Sequence, residues 1–424
     1  MKTTKIFFVT AILTLISHCS FSQFAISLEL RPRGEFRKGY KMLPDENTVP
    51  ATFISQRSRI SFGFKTEKLN TKISFQDVRV WGDEAFKTDK AGLGIYEAWA
   101  EIAISDSFFL KTGKQEFVYD NERLLSKSNW TQLGAAHNAA LLSYKKNGFQ
   151  IDFAAAFNQS TENIFGTDYS DLNTSYKTLD FLWISKKIND NIKVSLLGIA
   201  DGYQKEETEN TTYLRGTFGG IAEAGKEKKY SVAVRGFYQT GRLQTGQEIA
   251  AYYGNADFSY TIKEKYTVIA GIEYISGEDA LDTANTKSNI FCTLYGSGHK
   301  FNGNMDYYTN MSNDTKNAGL VNPYLNFIIK LSEKSKIRAD FHYFFLQNNY
   351  LNLNNELVNK ALGAEADLTF SYDISKDASV LTGFSVINPT QQMKIFSGGD
   401  GNYYGTWGFV MLTVKPTLFK SDKK

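Results

Sequence analysis

"LELRPRGEFRKGY" (residues 28–40) sets Glu29, Arg31, Arg33, Glu35 and Arg37 at every second position, with Leu28, Leu30 and Phe36 on the other parity. Strict alternation reads as a β-strand with two unlike faces. In a soluble sheet the five charges would meet water while the aliphatic face covered a core. The rest of the chain decides what that oily face meets.

The same unit recurs from Phe24 onward. "RSRISFGF" (57–64), "FQIDFAAAF" (149–157), "KYSVAVRGFY" (229–238), "KYTVIAGIEYI" (265–275), "LGAEADLTFSYDI" (362–374) and "GTWGFVMLTV" (405–414) each keep aliphatic or aromatic residues on one parity. The other parity mixes Gly, Ser, Thr, Ala, Asn and charges. Tight charged turns such as "KNG" (146–148), "NDN" (189–191) and "KEK" (263–265) alternate with longer polar loops, the longest over 277–317. Eight short turns and nine long loops predict eighteen strands.

In hydrocarbon every backbone N–H and C=O needs an internal partner, so strands span a membrane only as a closed sheet. Closure also removes the edges that would aggregate. A ring of this size leaves an aqueous lumen, and short turns on one side with long loops on the other are the pattern of an outer-membrane barrel. The predicted fold class is thus all-β, a transmembrane antiparallel β-barrel. The charges of residues 29–37 point into its water-filled interior and Leu28, Leu30 and Phe36 at lipid.

Composition agrees. The chain holds 24 Tyr and 32 Phe but only 6 Pro. Strand ends such as Tyr119, Phe157, Trp183, Tyr213, Tyr238, Tyr266, Tyr274, Tyr343, Tyr372 and Trp407 fit interfacial girdles. Pro32 lacks an N–H and predicts a bulge or break in the first strand. In "KISFQDVRVWG" the apolar parity slips after Phe75, which predicts a bulge near Gln76 or Asp77.

Lys2, Lys5, an apolar run over 6–16 and the small-x-small end Ser20-Phe21-Ser22 read as a signal peptide over 1–22. Residues 23–424 then form a single domain exported to the outer membrane. His18 makes a poor lipoprotein site before Cys19. Cys292 alone remains, so no intramolecular disulfide is available. Losing Lys2 and Lys5 brings the formal charge from +3 to +1, which argues against nucleic acid as a partner.

Assigning the apolar parity to lipid leaves a charged lumen list: Glu29, Arg31, Arg33, Glu35, Arg37, Arg57, Arg59, Arg79, Glu97, Glu101, Lys111, Asp152, Asp180, Asp201, Arg235, Glu273, Glu365 and Asp367. Strands lie about 4.8 Å apart, so Arg31, Arg33, Arg57, Arg59 and Arg79 are expected to share one wall. Such a patch can grip carboxylates or sulfates bidentately. It can equally pair with Glu29, Glu35, Glu97 and Glu101 and stiffen the wall. After the signal only His137, His299 and His342 remain, none at an obvious spacing from a serine or acid. No catalytic residue, metal site or cofactor is expected. "GSGHKFNGNMDYY" (296–308) is rich in Gly and rings; it either folds into the mouth or forms an ordered external loop.

"LRPRGEFRKGY" (30–40), "SQRSRISFGF" (55–64), "DVRVWGD" (77–83), "KTGKQEFVYDNERLL" (111–125), "YGSGHKFNGNMDYY" (295–308) and "WGFVMLTVKP" (407–416) together resemble the alginate-export family of outer-membrane porins. The resemblance implies a monomeric barrel in a Gram-negative outer membrane that passes an anionic polysaccharide through an arginine-rich constriction. On that analogy Arg31, Arg33, Arg57, Arg59, Arg79 and Arg123 are the selectivity candidates, interleaved here with Glu29, Glu35, Glu97 and Glu101. The chain departs from the pattern in closing on "LFKSDKK" rather than an aromatic residue. The expected function is passive passage of alginate-like polysaccharide or other polar or anionic solutes, with outer-membrane lipid and possible periplasmic secretion components as partners. The alternatives are a nutrient-uptake porin for small acids and a structural or adhesive barrel acting through its long loops.

Overall fold

The structure is a computed structural model that describes residues 22–421 apart from 89, 91, 168, 170–175, 205–210 and 227–228. Except for Ser22, the expected signal peptide, Cys19 included, lies outside the described residues. The chain opens with β1 (Gln23–Lys38), β2 (Ala51–Lys65), β3 (Leu69–Val80), β4 (Gly94–Ala103) and β5 (Phe108–Gln115). It continues through β6 (His137–Lys146), β7 (Phe149–Phe157), β8 (Thr178–Asn189), β9 (Ile192–Gln204), β10 (Thr212–Lys226) and β11 (Tyr230–Arg242). Then come β12 (Glu248–Ile262), β13 (Tyr266–Ile275), a helical turn α1 (Met311–Asp314), β14 (Leu320–Ser332), β15 (Ser335–Leu346) and β16 (Ala361–Ser375). β17 (Ala378–Pro389), a second turn α2 (Lys394–Ser397), β18 (Gly405–Val414) and β19 (Thr417–Lys420) complete it.

Each strand pairs antiparallel with its chain neighbour, and β1 pairs with β18 from Leu30↔Val414 to Lys38↔Thr406. That pairing closes an 18-strand ring, so none of those eighteen strands is left as an open sheet edge. β19 runs on past Lys415 and Pro416 to meet the start of β1, Ala25 opposite Lys420. Positive φ at Asn147 (50°) and Gly148 (69°), and at Lys263 (52°) and Glu264 (53°), gives the short turns the twist that matches hairpin strands.

Pro32 keeps β1 in register with β2, opposite Gln56, while the β18 ladder lapses at Arg31 and Pro32 and resumes unshifted. The expected irregularity there is a local break. The bulge expected in β3 is in β4 instead. β3 holds one register with β2 throughout, and Tyr96 is the extra residue where the β3–β4 register shifts between Ser74 and Phe75.

The outer face carries two aromatic belts. Phe218 and Tyr238 (5.6 Å), Tyr252 and Tyr274 (5.7 Å) and Tyr343 and Phe345 (4.7 Å) meet near the long-loop end. Phe108 and Tyr144 (4.9 Å) meet near the short turns. Phe157, Tyr266 and Tyr372 of the expected girdle also lie exposed. Tyr119, Trp183 and Trp407 do not belong to it: they are buried inside the ring.

Candidate functional site: a lumen narrowed by two inward loops

Register fixes which side chains enter the lumen. Arg57 stands opposite Arg31 and Arg59 opposite Glu29, and on β3 the residues facing them are Val78 and Gln76. Arg79, one position away, points outward. There it pairs with Asp77 (2.6 Å) and Glu84 (2.9 Å) rather than joining the arginine wall. Asp180 is likewise displaced from the expected lumen set, because Leu179, Phe181 and Trp183 hold the inward parity of β8.

Three of the inward arginines, Arg31, Arg33 and Arg57, clasp the β5–β6 loop (116–136), which folds into the barrel. Arg31 Nη1 donates to Asn129 O (2.7 Å), its Nη2 to Thr131 O (2.8 Å) and its Nε to Gln132 Oε1 (3.1 Å). Arg57, fully buried, donates from Nε to Gln132 O (2.6 Å), from Nη2 to Thr131 O (2.6 Å), and from Nη1 to Asn129 Oδ1 and Glu29 Oε1 (both 3.0 Å). Arg33 reaches Trp130 O (2.9 Å), lies 4.3 Å over the Trp130 ring and pairs with Glu35 (2.9 Å). Glu35 also receives Arg37 (2.8 Å) and Trp407 Nε1 (3.0 Å). Carbonyls buried in a loop must be paired, and here guanidiniums are the donors.

Arg59 is held differently. It donates to Gln76 Oε1 (2.7 Å) and sits 3.5 Å over the Tyr96 ring. Neither Arg31 nor Arg59 pairs with a carboxylate among the described residues. Further down the same wall Glu97 binds Lys72 and Trp99 Nε1 (2.9 Å), while Lys111 caps the Trp99 ring at 4.0 Å and stands opposite Glu101.

The far side of the 116–136 loop is packed dry. Phe117 meets Phe181 edge-on (4.9 Å, 87°), and Tyr119 meets Phe181 (4.9 Å) and Trp183 (5.2 Å). Leu124, Leu125, Leu179, Leu197 and Ile199 complete this patch. From the same loop Arg123 crosses to β13, where its Nη2 pairs with Glu273 (2.9 Å), both side chains almost wholly buried.

The β13–β14 loop (276–319) also folds inward, which decides between the two readings of the 296–308 stretch. It bridges the first loop at Leu125↔Tyr295, and Ser297 N donates to Glu122 O (3.0 Å). A Cβ on Gly296 would sit 1.9 Å from Arg123 O, so only glycine permits this approach. Gly303, at φ 76°, lies so close to the Glu365 carboxylate that a Cβ would stand 2.4 Å away. Met305 N donates to Glu365 (2.8 Å) and Asn304 N to Asp367 (3.3 Å). His299 stacks on Trp130 (4.0 Å, 8°) and shares a 2.7 Å hydrogen bond with Asp306, which also accepts from Tyr40. Burial works against charge on Asp306, yet the His299 and Tyr40 bonds hold its carboxyl below the usual carboxylate range.

The other histidines are also tied into packing. His137 Nδ1 meets Tyr176 OH (2.9 Å) and His342 Nδ1 meets Asn322 Oδ1 (3.1 Å).

A cavity of about 670 Å³ lies between the loops and the β11–β17 wall. Asn129, Trp130, His299 and Lys300 face it from the loops; Arg235, Asn326, Arg338 and Asp340 face it from the wall. Asp257 neutralises Arg235, and Asp340 lies 2.7 Å from Arg338. Of the other expected lumen charges, Asp152 accepts from Tyr119 (2.9 Å) and Asp201 pairs with Arg215 (2.5 Å). Arg338, Asn326, Lys300 and the Tyr40–Asp306–His299 chain escaped the sequence reading. The alternation "KIRADFHYF" (336–344), with Arg338, Asp340 and His342 on one parity, carried the signal for the first of them.

A family described as alginate export matches residues 22–395. The chain belongs to the alginate-export family. Among solved structures it is similar to OccAB1 of Acinetobacter baumannii (TM-score 0.63, 11% identity, 93% of this chain and 97% of that one). It is also similar to OpdO of Pseudomonas aeruginosa (0.62, 14%, 93% and 98%) and to OccK10 (OpdN) of the same organism (0.61, 11%, 93% and 99%). At these identities the likeness is one of fold, that of outer-membrane barrels. No curated relative matches significantly. Family and fold together make the alginate-export chain a β-barrel channel of the outer membrane.

Proposed function

We propose that the channel passes anionic solutes passively, with an alginate-like polysaccharide as the leading candidate, and that the β1–β2 wall supplies its selectivity. One observation carries this reading: five inward guanidiniums (Arg31, Arg33, Arg37, Arg57, Arg59) face only two inward carboxylates on those strands, Glu29 and Glu35. The excess charge lies beside a narrowed lumen with low-dielectric walls, where a field is focused rather than screened. Arg123 holds the far end of the loop that this wall clasps, so its part is to fix the aperture.

A second reading, uptake of small acids, is favoured by the size of the open cavity, which admits a small solute readily and a polymer only in extended form. Single-channel current in the presence of alginate oligomers of increasing length separates the two. Polymer passage gives blocks that lengthen with chain length and end at either electrode polarity. A channel for small acids gives permanent block or none.

A further inference from the structure

The guanidiniums on which the sequence reading rested are mostly occupied. Arg31, Arg33 and Arg57 spend their donors on loop carbonyls, and Arg123 is buried against Glu273. Arg338 of β15 is different. Its Nε donates to both oxygens of Asp340 (2.8 and 2.7 Å), and neither Nη has a partner among the described residues. Its side chain is 42% exposed, and it lines the 670 Å³ cavity. The two free Nη groups form the fork that matches a carboxylate.

A second observation stands beside it. Asn326 of β14 is 6% exposed, lines the same cavity, and its Oδ1 is buried without a hydrogen-bond partner. An orphaned buried amide costs free energy unless a ligand or water completes it. Whichever way the amide is turned, one polar end of Asn326 is left for such a partner. Asn326 stands directly opposite Asp340, so it is the diagonal neighbour of Arg338 on the same lumen face. One sugar ring can bridge that spacing.

We propose that Arg338 and Asn326 form a uronate subsite, the Arg338 fork taking the sugar carboxylate while Asn326 completes its hydrogen bonding with a ring hydroxyl. This rests on the reading of the chain as an anion channel and adds the two residues that recognise a single sugar. Asp340 orients Arg338 through Nε and leaves the fork facing the lumen. The β1–β2 wall then provides long-range attraction, and the β14–β15 wall provides recognition of the individual sugar.

The test is block of single-channel current by D-glucuronate, with acetate and glucose as controls, on the native channel and three variants. Native protein is expected to be blocked by glucuronate far more than by either control. Arg338→Gln should weaken the block about tenfold or more, the usual loss for a charge-assisted hydrogen-bond pair. Arg338→Lys keeps the charge but not the fork; it should retain anion preference and still lose most of the block. Asn326→Ala should weaken block by glucuronate several-fold while leaving the small effect of acetate unchanged. Equal block of native and Arg338→Gln channels, or equal block by acetate and glucuronate in an anion-selective native channel, overturns the subsite alone. A native channel without anion preference overturns the underlying reading instead.

Discussion

On β1 and β2 the 116–136 loop is held by guanidiniums that donate to the carbonyls of residues 129–132; across the lumen, on β8, the same loop is held by Phe181 and Trp183 packed on Phe117 and Tyr119. The first grip is directional and keeps its charge in the lumen. The second is built on stacked rings and holds no guanidinium; its charged groups are Asp152 and Asp120, which accept from Tyr119 and Trp183. A loop anchored on both sides by apolar packing would sit as firmly but would leave the channel without a field. One anchored wholly by arginines would place more charge, and more desolvation cost, in the lumen than the ion pairs there could offset. The division lets one wall set electrostatics and the other fix geometry.

Breaking the charged grip should have the largest effect. Arg57→Ala leaves Glu29 without its buried partner, strands the carbonyl of Gln132 and leaves that of Thr131 to Arg31 alone. A loss of about 3–5 kcal/mol is expected in urea unfolding of the detergent-solubilised barrel, with weaker anion preference in bilayers. Breaking the dry grip should cost nearly as much and change something else. Phe181→Ala is expected to lose about 3 kcal/mol, raise open-channel noise as the loop loosens, and leave anion preference intact. If both variants shift selectivity equally, the division of roles is wrong.

Glu273→Gln tests the tether between the walls. Arg123 would keep a neutral acceptor in place of its carboxylate, for an expected loss of about 1–3 kcal/mol and more frequent brief closures. Acid should act on the second loop. The carboxyl of Asp306 is held below its unfolded value, so its contribution is fully present above about pH 4 and fades as pH falls through the lower folded value. Current traces should become noisier only below that point, and Asp306→Asn should show the same noise at neutral pH. The smallest effect is expected outside the ring: Arg79→Gln, on the outward parity of β3, should leave selectivity and conductance unchanged.

The fold was legible because a membrane barrel writes a period of two along every strand and alternates its connections. The charged face of Glu29 to Arg37 did turn inward, as its spacing required. Parity misled where the lumen is not wet. Leu179, Phe181 and Trp183 look like lipid contacts, but they bed the inward loop, and this displaces Asp180 to the outside. Arg79 was misplaced for a related reason: the irregularity that shifts parity is carried by Tyr96 in β4, and β3 itself never slips. The site was the least legible part. The acceptors that occupy Arg31 and Arg57 are mostly backbone carbonyls, which every residue has and no sequence pattern marks.

Reversal potential across a potassium chloride gradient, measured on single channels of the native protein and of Arg59→Gln, tests the central claim most directly. Among the described residues Arg59 pairs with no carboxylate and donates none of its bonds to the 116–136 loop, so its loss removes lumen charge without freeing that loop. The account predicts chloride preference in the native channel, reduced in the variant at nearly unchanged conductance. A cation-preferring native channel, or a variant with the same reversal potential, would contradict it.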